Sequence, residues 1–251
     1  MIHLVTIPTK CESIGLTFGK CAMTIEKNMR FGVADAGEVS AILLRPPDAR
    51  CMLVLAHGAG AGMTHSFMEE MAKELASAGV ATLRFNFPYM EQRRKVPDRA
   101  PVPTEAVLAA MRTAVEAAPE LPLFAGGKSY GGRMSSQASA ETSLPKVRGL
   151  VFFGFPLHPP DQPSTKRAEH LARVKLPMLF LQGTRDKLAD LSLLRPICAK
   201  LGSRSTLHII EAADHSFHVL KSSGKTDADV LRELARTVSD WTHKIIRQEP
   251  E

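Results

Sequence analysis

Short apolar segments alternate with helix-length segments along most of the chain, and this alternation constrains the fold more than any other feature. Cys51 to Ala56 is apolar at every position, as expected for a strand buried on both faces of a parallel sheet. In the segment that follows, Phe67, Met71 and Leu75 recur at helical spacing before a stop at Gly79. The sequence therefore predicts an α/β fold with a mainly parallel sheet.

The same alternation continues to the C-terminus, and helices of this length between strands predict a doubly wound sheet with helices on both faces. The further predicted strands are Val39–Leu44, Val80–Phe85, Leu121–Ala125, Gly149–Phe153, Met178–Leu181 and Thr206–Ile210, and the further predicted helices are Thr104–Ala117, Tyr130–Ala140, Leu191–Leu201 and Asp227–Lys244.

Length and composition favour one domain. A chain of 251 residues with 44% hydrophobic content can bury a single substantial core, so we expect one α/β domain over residues 26–251. Residues 1–25 show no sustained periodicity, and we interpret them as an N-terminal leader that can be flexible. Translation can start at Met1 or at Met23, and the sequence does not decide between them.

The cellular compartment follows from the cysteines and the N-terminus. The four cysteines include no C-x-x-C pair, so we expect reduced thiols and neither a metal site nor a disulfide framework. Pro8, Lys10 and Glu12 interrupt any apolar stretch that could act as a secretory signal. No segment approaches the length of an apolar membrane span. We therefore expect a cytoplasmic protein with no membrane partner.

The formal net charge of +6 raises the question of a nucleic-acid partner. The two densest basic stretches, residues 93–99 and 166–175, are diluted by acidic residues or proline. Neither lies in a motif with interleaved stacking aromatics, and aromatic residues make up only 6% of the chain. We expect no nucleic-acid partner.

Gly127-Lys128-Ser129-Tyr130-Gly131 matches G-x-S-x-G, a sharp strand-to-helix turn that projects a serine hydroxyl above a sheet. A predicted strand precedes the motif and a small-residue segment that can start a helix follows it. Ser129 is therefore the candidate nucleophile.

A serine hydroxyl needs a base to take its proton and an acid to orient that base. In the order serine, acid, histidine, Asp186 follows the predicted strand Met178–Leu181 and His215 follows the predicted strand Thr206–Ile210. Asp190 is the alternative acid and His218 the alternative base. Asp190 could instead start the next helix, and we favour His215 because it directly follows the turn-forming Ala213-Asp214. Ser129, Asp186 and His215 all follow strand carboxyl ends, where they can converge.

Backbone amides supply the oxyanion hole in such sites, one of them from the residue after the nucleophile, here Tyr130. The second is expected from His57-Gly58-Ala59-Gly60-Ala61-Gly62, the small-residue loop after the early strand. Ala59 is our first choice as donor and Gly60 the second. We expect His57 to hold this loop and not to act as a base.

Several stretches resemble the α/β-hydrolases, and more narrowly the dienelactone-hydrolase-like group that includes the testis-expressed and NSL-complex-subunit proteins. The resemblance implies an eight-stranded hydrolase sheet and the triad Ser129, Asp186 and His215. A dienelactone hydrolase proper has cysteine as nucleophile, so the resemblance does not extend to that reaction. The stretches that carry it are the His57–Gly62 loop, Arg84-Phe85-Asn86-Phe87-Pro88, Gly127–Arg133, Phe155-Pro156-Leu157-His158-Pro159-Pro160 and Gln182-Gly183-Thr184-Arg185-Asp186.

Two long connections, Asn86 to Pro103 and Phe155 to Pro177, leave strand carboxyl ends and are candidate walls of the binding site. Hydrolases of this fold often carry a helical cap, and the second connection is too short for a sizeable one. An open site favours small or extended acyl substrates. We expect Lys128, Arg94 and His158 on the substrate side, where the cations could recruit an anionic substrate; a solvated basic loop is the alternative.

The residues thus predict a serine hydrolase, carboxylesterase-like, that cleaves an ester or thioester through an acyl-enzyme and needs no cofactor or metal. The alternative is a catalytically idle hydrolase-fold interaction protein, because some members of the group serve in protein complexes. The sequence leaves the oligomeric state open.

Overall fold

The computed structural model describes residues 2–4, 23–144 and 146–248. Most of the predicted leader, residues 5–22, lies outside the described residues. The first part of it, Ile2–Leu4, forms a short strand that pairs antiparallel with Ile25 to Lys27.

Strands and helices alternate as predicted. The strands are β1 Ile2–Leu4, β2 Ile25–Val33, β3 Gly37–Arg45, β4 Cys51–Ala56, β5 Val80–Phe85, β6 Leu123–Lys128, β7 Val147–Phe153, β8 Met178–Gly183 and β9 Ser205–Ile210. The α-helices are α1 Ser66–Ser77, α2 Pro88–Glu91, α3 Val102–Ala117, α4 Tyr130–Glu141, α5 Leu191–Leu201 and α6 Asp227–Arg247, and 3₁₀ turns lie at Lys166–Arg173, Gly202–Arg204 and Lys221–Ser223.

All the strands belong to one sheet, in the order β1-β2-β3-β5-β4-β6-β7-β8-β9. Strands β4 to β9 run parallel, whereas β1, β2 and β3 are antiparallel to their neighbours. The prediction of an α/β-hydrolase fold with an eight-stranded, mostly parallel sheet is confirmed. The difference is the three-residue β1, which adds a ninth strand at the edge beside β2.

The sheet separates two apolar cores, as a doubly wound fold requires. In β4, Val54 and Ala56 face the core under α3, α4 and α5, while Leu53 and Leu55 face the core under α1 and α6. These four side chains are completely buried. Burial of one such aliphatic side chain contributes roughly 2 kcal/mol, which explains why β4 carries no polar residue.

Strand β2 and the 3₁₀ turn Lys166–Arg173 are among the elements that were not predicted. Strand β2 is mostly exposed and offers no apolar run, because its first six residues cover little of the core. The Phe155–Pro177 connection contains the 3₁₀ turn Lys166–Arg173, which packs on α4, and no cap domain. The prediction of little or no cap is confirmed.

The chain passes from β4 to β5 on one side and later to β6 on the other, so the carboxyl end of β4 is a switch point of the sheet. Ligands of open α/β sheets bind in the crevice at such a point. The loop after β4 and the turn after β6 meet there. None of the described helices is both long and apolar enough to cross a bilayer.

Candidate active site

Ser129 lies in the sharp turn between β6 and α4, in a backbone conformation that serine rarely adopts, with φ 49° and ψ −111°. Such a conformation persists only where the surrounding structure restrains it. The Ser129 amide donates to the carbonyl of Phe153 at 3.0 Å, which ties the turn to β7. The strained conformation is thus held by the sheet itself.

The two glycines of the motif are required by the carbonyl of Ala56. A Cβ atom built at Gly127 would lie 2.1 Å from that oxygen, and one built at Gly131 would lie 2.3 Å from it. Neither position can carry a side chain without moving β4. The glycines therefore let the turn approach the end of β4, where the His57–Gly62 loop begins.

Three side chains from separate loops meet above this turn. The Nε2 atom of His215 lies 2.9 Å from the Ser129 hydroxyl, and its Nδ1 atom lies 2.7 Å from Oδ2 of Asp186. The Asp186 side chain is fully buried, whereas that of His215 keeps 23% of its surface exposed. Such a chain of hydrogen bonds can pass the serine proton to the imidazole while the carboxylate fixes the ring.

The two alternatives considered from the sequence have other partners. Asp190 caps α5, since its side chain accepts the Ser192 amide at 2.7 Å. His218 bonds through Nδ1 to Asp227 at 2.6 Å. Neither contacts Ser129.

Asp186 is held by more than the histidine. The Leu188 amide donates to its Oδ1 atom at 2.8 Å, and the Gln182 side-chain amide donates to Oδ2. Burial raises the pKa of Asp186, but the hydrogen bond and charge interaction with His215, together with Leu188 and Lys128, bring the pKa below its ordinary value. The carboxyl is therefore ionised at neutral pH, as a triad acid must be.

The loop after β4 turns toward the elbow. A Cβ atom at Gly58 would lie 4.0 Å from the Ser129 Cβ, so the two segments are in contact. His57 holds the loop: its ring contacts the Gly58 carbonyl through Nδ1 at 2.7 Å and accepts the Phe87 amide at Nε2. Burial lowers the pKa of His57 to about 4, so the ring is neutral and has no free base position.

The structure distinguishes the two candidate donors in this loop. The Gly60 amide donates to the Tyr89 hydroxyl at 2.9 Å, so it is occupied. The Ala59 amide donates to no other described group, and Ala59 lines the groove at Ser129. Tyr130 begins α4, where an amide has no acceptor within the helix. Ala59 and Tyr130 are the amides left available.

The groove at Ser129 has a volume of about 800 Å³. Its walls come from the start of α1, the loop after β9 and the start of α6, and not from the two connections that the sequence analysis favoured. Residues 86–103 and 155–177 contribute nothing to its lining. The lining residues beyond the elbow and its partners include His65, Phe67, Met68, Glu70, Leu188, Phe217, His218, Asp227 and Leu231.

Two of the expected substrate contacts lie elsewhere. Arg94 is on the surface, paired with Asp98 at 2.5 Å, and does not line the groove. His158 is buried; its Nε2 accepts the Asp190 amide at 3.2 Å and its Nδ1 contacts the Pro159 carbonyl. The structure therefore places neither residue at the groove. The connections that carry them pack against the protein outside its lining.

Lys128 does line the groove, but its ammonium is bound within the protein. The Nζ atom donates to the carbonyl of His215 and lies 5.2 Å from the ring centre of Phe217 and 5.7 Å from that of Phe67. No other lysine or arginine is among the residues that line this groove.

Two functional contacts were missed by the sequence analysis, those of Gln182 and Tyr89. Gln182 is a polar residue inside an otherwise apolar strand, β8, and it is completely buried. A lone polar side chain in a buried strand indicates that it has a hydrogen-bond partner, so the sequence alone could have pointed to Gln182. Tyr89 gave no comparable signal, because its partner Gly60 is far away in the sequence.

A separate groove of about 370 Å³ lies between α3 and the end of α4, at the amino ends of β6 and β7, and contains none of the candidate residues. Within the described part of the chain, no cluster of three or more His, Cys, Asp or Glu side chains is arranged to hold a metal ion.

The family model of the alpha/beta hydrolase domain matches residues 49–243, which include the elbow, Asp186 and His215. The chain belongs to the α/β hydrolase family. The match covers the whole run from β4 into α6, so the loops that build the groove lie inside the family domain.

Solved structures share the fold of this α/β hydrolase. A dienelactone hydrolase from Anabaena variabilis is 21% identical, with a TM-score of 0.67 over 88% of this chain and 98% of that one. A lid-less α/β serine hydrolase from Xanthomonas campestris is 19% identical, with a TM-score of 0.68 over 86% and 94%. The esterase domain of a Rhodothermus marinus protein is 17% identical, with a TM-score of 0.64 over 87% and 98%.

Proposed function

We propose that this α/β hydrolase is a serine hydrolase, carboxylesterase-like, that cleaves a small or extended ester or thioester through an acyl-enzyme. The observation that carries the proposal is the unbroken chain from the Ser129 hydroxyl through His215 to Asp186, at 2.9 Å and 2.7 Å. Family membership and the fold shared with esterases support it.

In the first half-reaction, the Ser129 oxygen attacks the acyl carbon while His215 Nε2 takes the hydroxyl proton. The carbonyl oxygen becomes negative and accepts hydrogen bonds from the Ala59 and Tyr130 amides. The tetrahedral species collapses as the bond to the leaving oxygen or sulfur breaks. That leaving group takes the proton from His215, which yields a free alcohol or thiol and an ester on Ser129.

In the second half-reaction, water attacks the ester on Ser129 and gives a proton to His215. The second tetrahedral species breaks its bond to the Ser129 oxygen, which recovers the proton from His215. Asp186 stays ionised throughout and stabilises the imidazolium. The products are a carboxylic acid and the unchanged enzyme, so no cofactor is needed.

The groove favours a neutral acyl group over an anionic one. Its lining offers apolar surface from Phe67, Leu188 and Leu231, and two carboxylates, Glu70 and Asp227, on the rim. The only lysine or arginine among the lining residues, Lys128, is already bound to the His215 carbonyl. The absence of a cap leaves the groove open, which suits short acyl chains better than long ones that need an apolar tunnel.

We further propose that the protein acts in the cytoplasm on a small-molecule substrate, without a nucleic-acid or membrane partner. The described cysteines support the cytoplasmic assignment. Cys51 and Cys198 are free and buried, and free thiols are typical of proteins in a reducing compartment.

A fluorophosphonate probe tests the proposed function. We expect the probe to label the wild-type protein and the Ser143→Ala control, whose serine is exposed and distant from the groove, and not the Ser129→Ala variant. On a panel of p-nitrophenyl esters and acyl thioesters, acetyl and butyryl groups are expected to turn over faster than dodecanoyl groups. Loss of Ser129 should lower kcat by several orders of magnitude with the fold intact.

An unreactive Ser129 in the folded protein would contradict the proposal and support the alternative, a hydrolase-fold interaction protein with no turnover. Faster hydrolysis of long acyl esters would contradict the substrate class alone.

A further inference from the structure

We propose that Lys128 is a positioning residue of the triad, one that holds His215 between Ser129 and Asp186. The inference rests on the proposed function. It replaces the expectation that the Lys128 cation captures an anionic substrate, because the ammonium is bound inside the protein by His215.

The first argument is mechanical. His215 lies in the loop between β9 and α6, and the backbone of this loop has positive φ at Ala212 (59°) and at Phe217 (66°), two positions without glycine. Such conformations persist only where the surroundings restrain them. The bond from Lys128 to the His215 carbonyl restrains the residue from the backbone side, while Asp186 restrains its ring.

This bond also links two triad residues through the chain. Lys128 directly precedes Ser129. One dipeptide therefore carries both the nucleophile and the ammonium that bonds to the His215 backbone. A shift of the His215 loop away from the elbow would strain the Lys128 bond together with the contact from Nε2 to the Ser129 hydroxyl.

The second argument is electrostatic. A Cβ atom at Gly154 would lie 3.2 Å from Lys128 Nζ, 3.4 Å from Asp186 Oδ2 and 3.4 Å from His215 Cε1, so all three groups surround one point. The ammonium charge thus acts on the Asp186 carboxylate, and it is one of the causes that lower the pKa of Asp186. A side chain at Gly154 would push the three groups apart.

Two aromatic rings also surround the Lys128 ammonium. Phe67 and Phe217 stack with their centres 6.0 Å apart, and both face the Lys128 ammonium. Aromatic faces attract a cation without supplying a hydrogen-bond acceptor. The ammonium is therefore stabilised in place while its directed hydrogen bond goes to the His215 carbonyl.

Burial lowers the pKa of Lys128 to about 8, against the opposing charges of Asp186 and Asp214. Lys128 thus carries its charge at neutral pH and loses it in mildly alkaline solution. His215, Asp186 and Asp214 are the titratable groups that face it. Deprotonation removes the positive charge beside the Asp186 carboxylate, so this carboxylate loses one of the interactions that keep it ionised.

The Lys128→Met variant tests the inference. Methionine has a similar length and fits the apolar surroundings of the two rings, while it removes the charge and the hydrogen bond, so the variant should fold. We expect kcat for a neutral acetyl ester to fall about 100-fold at pH 7, the cost of misplacing a reacting group by about 1 Å. KM should change by less than about threefold, because Lys128 holds the base and not the substrate. Lys73→Met, on the exposed face of α1, is the control and should match the wild type.

The pH profile separates positioning from plain structural support. Wild-type kcat should decline as pH rises through about 8, toward the level of Lys128→Met, and the variant should lack this decline. A variant with wild-type kcat at pH 7, or one that keeps the alkaline decline, would overturn the inference.

Paired neutral and anionic esters with the same leaving group test the alternative role of Lys128, the capture of an anionic substrate. A positioning role lowers kcat equally for both. An increase in KM confined to the anionic ester would overturn positioning in favour of substrate capture. Failure of the proposed function is distinguishable, since it would appear in the wild type as an unlabelled Ser129 and no ester turnover.

Discussion

Gln182 shows how one buried amide can serve two parts of the site. Its Nε2 donates to Asp186 Oδ2 and its Oε1 accepts the Phe155 amide at 3.1 Å, so it links the proposed triad acid to the chain that leaves β7. Both partners are buried. An amide is the one side chain of this length that can donate on one side and accept on the other.

The Gln182→Glu variant tests this link with almost no change of shape. The new carboxylate can still accept from Phe155, but it faces Asp186 across a buried contact, and two adjacent carboxylates resist joint ionisation. We expect kcat/KM at pH 7.5 to fall about 30-fold, since displacing a triad partner by a fraction of an ångström weakens the proton transfer.

The comparison of this variant with the wild type at lower pH is the decisive measurement. Protonation of the new carboxyl restores a donor to Asp186, so the ratio of variant to wild-type kcat/KM should rise as pH falls from 7.5 to 5.5. A constant ratio would show that Gln182 contributes packing only.

At the scale of elements, the short helix α2 positions the His57–Gly62 loop, the proposed source of an oxyanion donor. Its Tyr89 is completely buried and its hydroxyl accepts the Gly60 amide, while His57 of the same loop accepts the Phe87 amide just before α2. The rings of His57 and Phe87 pack edge to face, with centres 4.9 Å apart. Two hydrogen bonds and one ring contact therefore fix the loop that presents the Ala59 amide.

Removal of the Tyr89 hydroxyl should loosen this loop. In Tyr89→Phe the Gly60 amide loses its acceptor, and we expect a stability loss of about 1 kcal/mol in urea unfolding. We expect kcat to fall about 10-fold with little change in KM, because a displaced amide stabilises the oxyanion less. Unchanged kcat would assign the oxyanion loop's position to other contacts.

Tyr130→Phe is the matched stability control for that variant. The Tyr130 hydroxyl is buried and has no hydrogen-bond partner among the described residues. Its removal should leave the free energy of unfolding unchanged or slightly higher, and the difference between the two tyrosines measures the Gly60 bond.

The elements that the sequence could predict are those with a local signal. Strand β4 and helix α1 follow from apolar pattern alone, and the elbow at Ser129 follows from a motif flanked by a strand and a helix. The groove walls could not be predicted, because the start of α6 reaches Ser129 only through the stacking of α1 and α6 on one face of the sheet. The Lys128 and Tyr89 contacts join residues 87 and 29 positions apart. Contacts between residues so far apart in the chain cannot be predicted from the spacing of residues in the sequence.

At the scale of the whole molecule, burial lowers the pKa of two histidines outside the proposed triad, His57 and His170. His57 is completely buried beside the switch point of the sheet, and His170 lies in the 3₁₀ turn against α4, where its Nε2 contacts the Ser136 hydroxyl at 2.8 Å. Burial lowers the pKa of each to about 4, with Arg133 and Arg173 adding to the effect at His170. Both rings are neutral in the folded protein at pH 6.

These histidines make the fold sensitive to acid. Between pH 6.5 and 4 the unfolded chain binds protons that the folded protein does not, so the free energy of unfolding rises with pH in this window and is lost as pH falls. A depression from 6.5 to about 4 corresponds to a loss on the order of 3 kcal/mol for each ring. Urea unfolding at half-unit steps from pH 4 to 8 measures this loss of stability.

The His170→Gln variant should make the plot of unfolding free energy against pH shallower, because it removes one of the two buried rings. His218→Gln is the contrast: Asp227 raises the pKa of His218, so the stability from this pair is fully present below pH 6.5 and fades only as pH rises above that value. This variant should therefore change the curve above pH 6.5 and not through loss of a buried imidazole in the acid window. Equal acid slopes in the wild type and His170→Gln would mean that carboxylates, and not buried imidazoles, govern the acid limb.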